Sequence, residues 1–441
     1  MPNSRSSTAS LFPPAVVHAD GHEPITVASR FGTLTLPRQV CQHQDAGTHV
    51  MPGNTVLPPH HGLIITRGLQ EWACLLPQEL SFAAVARLLG WQTHDDQVLS
   101  DTTIRTIVRT HGQVIRHAEQ TEVAALRQRD DLATMKLLVV PHDQPRRQAG
   151  WPKQLNVAVD VALAAEQVCP PDGVSWADWD RVLAARRAET AWGAEQLRHL
   201  GPALEADQVL VSVDEVLTRK PEPHRFWELR TARIVTTAGF RYLSGVGAPF
   251  LQHLLVMVLL ALGAHQSLLL IADGARWIQA FFTETLAQIP TKTMILDWYH
   301  LDPKCLEASS RICRGKGARA QFLRRLYRRL WCGDVVAAIR LLDAYRPQAK
   351  NEPMLETLIA YLHAREAWMV NYRQRRINQQ YVGSGHVEKA NDLIVARRQK
   401  GRGMQWSLAT SDALAALRTL MLNGGWDRYW QQRQVLPLVA S

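Results

Sequence analysis

Apolar positions along this chain change period repeatedly, and each change predicts a different kind of element. Residues 1–22 are rich in Ser, Thr and Pro with little apolar periodicity, a composition that cannot offset the entropy of ordering, so a loose tail is expected there. Over 23–67, short β-branched runs such as Ile25-Thr26-Val27 and Thr33-Leu34-Thr35-Leu36 alternate with Gly and Pro, which predicts a small β-rich module. The spacing turns helical over 68–125. Gly68 to Leu76, Ser81 to Leu89 and Asp101 to Thr110 read as helices, with Ser81 and Ser100 placed to cap the second and third. Helices in this order predict a helix-turn-helix region. The stretches Pro141 to Arg147 and Cys169 to Gly173 punctuate a helical accessory region, 126–205, in which Ser175 to Leu200 offers Trp176, Trp179 and Trp192 as a buried side.

From Gln208 the pattern becomes that of a buried sheet. Val209 to Val213 is a near-continuous apolar run, as expected of a central strand. Phe226 to Thr236 and Phe240 to Leu243, joined through Ala238-Gly239, predict an antiparallel pair. A helix over Leu254 to Leu262, a strand over Ser267 to Ala272, a helix over Ala275 to Leu286 and a strand over Thr293 to Trp298 complete a mixed α/β core across 206–302. An all-helical segment, 303–380, then intervenes before terminal helices over 381–441 that begin near Gly385.

A chain of 441 residues accommodates two to four folded units. Its net charge of +10 favours a polyanionic partner, nucleic acid ahead of an acidic membrane surface. The basic surplus concentrates in Arg311 to Leu330, where Arg311, Arg314, Lys316, Arg324, Arg325 and Arg328 interleave with Phe322, Leu323, Leu326 and Tyr327 and no acid intervenes. Such a run is either a solvated helix face or a surface that tracks phosphates, and the missing carboxylates favour the second. In the third predicted helix Thr102, Thr103, Arg105 and Arg109 form a polar side suited to phosphates and base edges, unless it is the solvated face of an ordinary bundle. Six cysteines without a regular framework, and no secretory signal before them, predict free thiols in a reducing interior. Gln252, His253, His265 and Gln266 interrupt the longest apolar stretch, so a membrane span is not expected.

Three acids stand out against these elements. Asp214 closes the apolar run, where a charge is costly unless compensated; its bland alternative is the start of a turn, shared with Glu215. Asp273 follows the strand Leu268 to Ala272, a common place for a site residue, or else it caps the next helix. Glu388 lies early in a helix opened by Gly383-Ser384-Gly385, where the helix dipole alone favours an acid. Their order, with strands and a helix between the first two and a helical insertion before the third, matches a ribonuclease H-like fold. Three carboxylates on such a frame can share a pair of hard cations about 3.5–4 Å apart, the arrangement that activates a nucleophile and stabilises the leaving oxygen in phosphodiester chemistry. Asp160, in Val157 to Val161, also sits in an apolar run, but Cys169-Pro170-Pro171 and a helical pattern follow it instead of antiparallel strands.

At these residues the sequence resembles the DDE transposases of bacterial insertion sequences, particularly the Kra-type group related to mutator-like elements. Val211-Ser212-Val213-Asp214 with Phe226 to Arg230 resembles the family's first-aspartate strand and its successor, and Ala272-Asp273-Gly274-Ala275-Arg276-Trp277-Ile278 the second-aspartate segment. Gly383-Ser384-Gly385-His386-Val387-Glu388 is similar to the closing Gly-Ser-Gly-x-Val-Glu motif, continued by Arg397, Arg398 and Gly403 to Trp406. Asp297-Trp298-Tyr299-His300 resembles the family's Asp-x-x-His after the fifth strand.

The resemblance implies a ribonuclease H-like catalytic domain with an all-helical insertion. It also implies two Mg²⁺ or Mn²⁺ ions held by Asp214, Asp273 and Glu388, with Asp297 and His300 in support and Asp297 the runner-up for the second ligand. The implied partners are double-stranded DNA, both the element's terminal inverted repeats and the target, met by a homodimer or larger assembly in the bacterial cytoplasm near the nucleoid. Arg397 and Arg398 would join the DNA surface. A catalytically silent DNA-binding regulator descended from a transposase is the alternative, and a nuclease that cleaves without joining is a third. Relatives often carry paired cysteines in the N-terminal β module. Here Cys41 stands alone among His43, His49, His60 and His61, which argues against zinc.

Overall fold

Two sheets, each mixing parallel and antiparallel strands, give the chain its mixed α/β organisation. The computed structural model describes residues 17–43, 49–50, 59–60, 63–142, 204, 207–263, 267–378 and 380–439. The expectations for Asp160, the Cys169 to Gly173 break and Ser175 to Leu200 lie outside the described residues. The chain divides into one unit of residues 1–115, 409–417 and 430–434 and a second of 116–408, 418–429 and 435–441.

In the first unit β1 (Val17–Ser29) and β2 (Gly32–His43) form an antiparallel hairpin, extended by β3 (His49–Val50), β4 (Pro59–His60) and β5 (Leu63–Ile65). β1 starts at Val17, inside the stretch expected to be loose. Its early residues pair with β2 from Val17↔His43 onward, so a partner strand supplies the order that local composition does not. Three helices follow, α1 (Arg67–Leu75), α2 (Phe82–Thr93) and α3 (Asp101–Leu126). The Ser81 hydroxyl accepts from Ala84 N at 3.2 Å and the Ser100 hydroxyl from Thr103 N at 3.1 Å, the capping read from the sequence. α3 outruns its expected end at Thr110 because Ile104, Ile107, Val108 and Ile115 keep one buried stripe at helical spacing. Gly112 lets Ala413 approach, since a Cβ there would lie 2.5 Å from the Ala413 Cα.

The second unit is built on a sheet of order β11-β10-β7-β8-β9-β6. Its strands are β6 (Val140–Pro141), β7 (Gln208–Arg219), β8 (Phe226–Val235), β9 (Gly239–Gly245), β10 (Ser267–Ala272) and β11 (Lys292–Leu296). β7 lies centrally, parallel to β10 and antiparallel to β8, while β10 is also parallel to β11. Side chains on a strand alternate between faces, and both faces of this sheet are covered. Val209, Val211 and Val213 pack with Leu268, Leu270 and the helix α4 (Gly247–Leu262), whereas Leu210, Leu269, Ile271 and Ile295 pack with Tyr372 and Val382. Two-sided burial is why β7 and β10 read as unbroken apolar runs, each such side chain contributing roughly 1.5–3 kcal/mol.

Beyond β10 the chain forms α5 (Arg276–Ala280), with a π turn over Phe281–Thr285. The helical segment comprises α6 (Trp298–Ile312), α7 (Lys316–Trp331), α8 (Val335–Tyr345), α9 (Glu352–His363) and α10 (Tyr372–Ile377). It has its own core around Leu301, Cys305, Leu326, Leu330, Leu342 and Leu355. α11 (Gly385–Asn391) continues through a π turn over Asp392–Ala396, and α12 (Leu408–Leu422) and α13 (Trp426–Gln432) follow. The described cysteines, Cys41, Cys74, Cys305, Cys313 and Cys332, are free thiols. No described helix is long and apolar enough to cross a membrane.

His253 on α4 is fully buried in this unit, its Nε2 without a hydrogen-bond partner. Burial, aided by the positive Arg241 and Arg116, pushes the imidazole down to about 3 from its ordinary 6.5. A depressed histidine stabilises the fold above its unfolded pKa and withdraws that stability as pH falls towards the folded value. His253→Leu is therefore expected to lessen the acid-induced loss by about 1.4 kcal/mol per pH unit below the unfolded pKa, measured by urea unfolding at successive pH values. Parallel pH dependences for the two proteins would refute it.

Candidate metal centre

Three neighbouring parallel strands carry acids at one level of the sheet, inside the first and directly after the other two. Ile271 of β10 pairs with Ser212 of β7, and Ala272 pairs with Leu296 of β11. Continuing that register sets Asp273 beside Asp214 on one side and beside Asp297 on the other; the ladder does continue, with Asp297 N donating to Ala272 O at 2.8 Å. β7 itself runs on to Arg219, so Asp214 lies inside a strand and not at its end as the apolar run suggested. Its antiparallel pairing with β8, including Asp214↔Thr231, extends it.

Asp214 is almost wholly buried. Its Oδ1 accepts from Glu215 N at 2.8 Å and its Oδ2 from Asn391 Nδ2 at 2.5 Å. Burial above all, with the neighbouring Asp273 charge adding to it, pushes this carboxyl up to about 6, against the lowering effects of those hydrogen bonds and of His300. Glu215 points to a different setting: its carboxylate accepts from Trp277 Nε1 at 3.0 Å, and burial raises its pKa.

α11 brings Glu388 to these strand ends through two clasps. Asn391, one turn beyond Glu388, bonds both Asp214 and the Thr231 hydroxyl. At the other end Ser384 donates to Asp297 Oδ2 through its backbone N at 2.9 Å and through its hydroxyl. Asp297, with no exposed surface, also caps α6 by accepting from Tyr299 N at 2.7 Å. Gly383 must be glycine here, because a Cβ would lie 2.6 Å from Asp297 Oδ1 and against the Tyr299 ring.

His300, on the first turn of α6, puts its Nε2 in the middle of the group. That atom is 3.9 Å from Asp297 Oδ2, 4.0 Å from Asp214 Oδ2 and 4.0 Å from Glu388 Oε1. It is buried and has no hydrogen-bond partner. Among the described residues Asp297, His300 and Glu388 offer ligand atoms within 4.8 Å of one another, a spacing that can hold a metal ion. The structure thus gathers Asp214, Asp297 and Glu388 around His300, with Asp273 following β10, between the strands that carry Asp214 and Asp297. Asp273 Oδ1 accepts from Ala275 N at 2.8 Å, so it also shapes the turn into α5.

Sequence reasoning missed two contributors. Asn391 could have been found by its position three residues after Glu388, which places both on one helix face. Arg365, from the helical segment, had no signal. Its Nη2 donates to Gly274 O at 3.0 Å, steadying the positive-φ turn that follows Asp273.

The candidate DNA contacts divide. Arg314, Lys316, Arg325 and Arg328 are exposed on or just before α7. Arg311 is exposed too but bonds Glu307 at 3.1 Å, and Arg324 is half-buried. On α3, Thr102, Arg105 and Arg109 are exposed, whereas Thr103 is half-buried with its hydroxyl bonded to that of Ser100. Arg397 is exposed. Arg398 departs from its expected role: it is buried, with its guanidinium 4.8 Å from the Trp406 ring centroid, and packs inside the unit. Cys41 is buried in β2, and the side chains of His43, His49, His60 and His61 lie outside the described ones.

No family model and no curated protein matches this chain.

Proposed function

We propose that this chain is a DNA transposase of the DDE type, cutting and joining DNA strands at a divalent-metal centre on a ribonuclease H-like sheet. The observation that carries the reading is the convergence of acids from parallel β7, from the ends of β10 and β11, and from the distant α11, around one buried, unpartnered nitrogen. Buried like-charged groups of this kind are costly unless a cation joins them. The donor set of carboxylates with one imidazole fits a divalent ion. Mg²⁺ or Mn²⁺ bound there would polarise a phosphodiester and lower the pKa of an attacking water or 3′-hydroxyl.

The chain's own residues do the rest. Asp214, Asp273 and Glu388 supply negative oxygens, Asn391 fixes the rotamer of Asp214, and Asp297 holds the turn that delivers Glu388. The exposed cations of α7 suit a phosphate backbone, and those of α3 suit a groove in the element's inverted repeats. A pair of chains working on two DNA ends in the bacterial cytoplasm completes the proposal.

The test is cleavage and strand transfer on a duplex carrying the sequences that flank the gene, with Mg²⁺ or Mn²⁺ added. Glu388→Gln is expected to lower both reactions at least about a hundredfold, the loss of several kcal/mol of charge stabilisation, with little change in melting temperature because this side chain is 45% exposed. Sequence-specific binding with no cleavage in any divalent metal would favour a silent regulator. Cleavage without joined products would indicate a nuclease.

A further inference from the structure

We infer that His300 Nε2 is a direct ligand of the bound cation, so that the centre is a mixed nitrogen and oxygen site in which Asp297 positions and does not ligate. This rests on the metal-dependent reading above and goes further by assigning which atoms meet the ion.

Three features support the assignment. The nitrogen is buried without a hydrogen-bond partner, an arrangement that folded chains avoid unless something else satisfies the atom. It stands 4.0 Å from Asp214 Oδ2 and from Glu388 Oε1, too far for a hydrogen bond to either. Ligands of one ion at about 2.0–2.2 Å each, however, lie roughly 3 to 4 Å from one another, so the separation of the imidazole nitrogen from each of these oxygens is close to that of two donors sharing one cation.

The third feature removes the competing donor. Asp297 is as close to the imidazole, at 3.9 Å, but its near oxygen, Oδ2, already accepts from both the backbone N and the hydroxyl of Ser384. A carboxylate oxygen has two lone pairs in its plane, and both are used. Ligation by Asp297 would release the turn that holds Glu388. Asp214 Oδ2 accepts from Asn391 Nδ2, and the half-exposed Glu388 carboxylate stands 4.0 Å from the imidazole nitrogen. Asp214 and Glu388 are therefore the carboxylates left to share the ion with His300. An imidazole among carboxylates shifts preference towards Mn²⁺, Co²⁺ and Zn²⁺ and away from Ca²⁺ and Mg²⁺, which favour oxygen alone.

The full-length protein titrated with Mn²⁺ and followed by electron paramagnetic resonance tests this directly, because a directly bound imidazole nitrogen modulates the electron spin echo. The expected result is ¹⁴N modulation in the wild type and in His386→Gln, which removes the histidine of the Glu388 motif. The modulation should be absent in His300→Gln, with Mn²⁺ affinity at least about tenfold weaker. Asp297→Asn should keep the modulation while binding Mn²⁺ more weakly. Melting curves within a few degrees of the wild type for His300→Gln would show that the fold is retained; a collapsed His300→Gln is replaced by His300→Asn, read in the same way. Mn²⁺ bound in an Asp214-dependent manner without ¹⁴N modulation, or modulation that survives in His300→Gln, overturns this assignment and leaves the transposase reading standing. No Mn²⁺ binding by the wild type, with or without duplex DNA, overturns both.

Discussion

Asp214→Asn is expected to yield a protein that melts higher than the wild type at neutral pH and cuts no DNA. The side chain is buried, and burial raises its pKa from 3.8 to about 6. A carboxyl with a raised folded pKa gives its full stability below the unfolded value and loses it as pH rises through the folded one, so above about pH 6 the metal-free chain carries a charged group at a cost. The shift corresponds to an upper bound of about 3 kcal/mol. Asn keeps only one oxygen for the two donors, Glu215 N and Asn391 Nδ2, which offsets much of that gain. A net stabilisation of about 1 kcal/mol, or about 2 °C in a unit of this size, is expected in chelator at pH 7.5. The advantage should be lost towards pH 4, where the native aspartate is also neutral and the variant is expected to melt no higher than the wild type. Cleavage should fall at least about a thousandfold, since a neutral amide cannot take the place of an anionic ligand. Scanning calorimetry from pH 4 to 8 decides the first half; a variant that melts lower than the wild type at pH 7.5 would show that the buried charge is compensated by something other than a metal.

Gly383→Ala should be nearly as damaging to activity by a different route. The added methyl would meet Asp297 Oδ1 at 2.6 Å and the Tyr299 ring, both held by the first turn of α6. Neither is the free end of a flexible chain, so the turn must move, and Ser384 loses its bonds to Asp297. Overpacking of this sort costs about 1–3 kcal/mol. The larger effect is on geometry: Glu388 lies one turn beyond Ser384, and a displacement near 1 Å at a metal centre is worth about a hundredfold in rate. Gly385→Ala is the matched control, because a Cβ there meets nothing within 4 Å. Mn²⁺ affinity and strand-cleavage rate should therefore drop in the first variant and stay near wild type in the second. Equal behaviour of the two would mean that the clasp does not govern Glu388.

The sheet was legible because two-sided burial leaves unbroken apolar runs at Val209 to Val213 and Leu268 to Ala272, and the acids that follow such runs are conspicuous. Strand lengths were less so. β7 continues to Arg219 because of its pairing with β8, and β1 begins at Val17 because of its pairing with β2; neither partner is visible in a local window. At the candidate centre, Asp214, Asp273 and Glu388 could be singled out as charges in costly or privileged positions. The central place of His300 could not, since it depends on α6 turning back over the strand ends and leaving one nitrogen without a partner. The donors saturating Asp297 likewise become visible only once Ser384, from 87 residues away, is set against it. Arg398 misled for the converse reason: a guanidinium in a basic run resembles a surface charge until Trp406 is found beneath it.

The Asp297–Ser384 clasp also bears on how this protein can change. It ties the two ends of the helical arm together at the arm's base, and the arm has a hydrophobic core of its own. Once the base is pinned, the entropy of closing a longer or shorter loop varies only slowly with its length. Replacement arms of different size and surface charge can therefore be grafted between residues 297 and 384, provided they keep a contact like that of Arg365 to the Gly274 carbonyl. On the proposed reading, the surface such an arm offers to DNA can diverge in this way while the carboxylates beneath it stay in place.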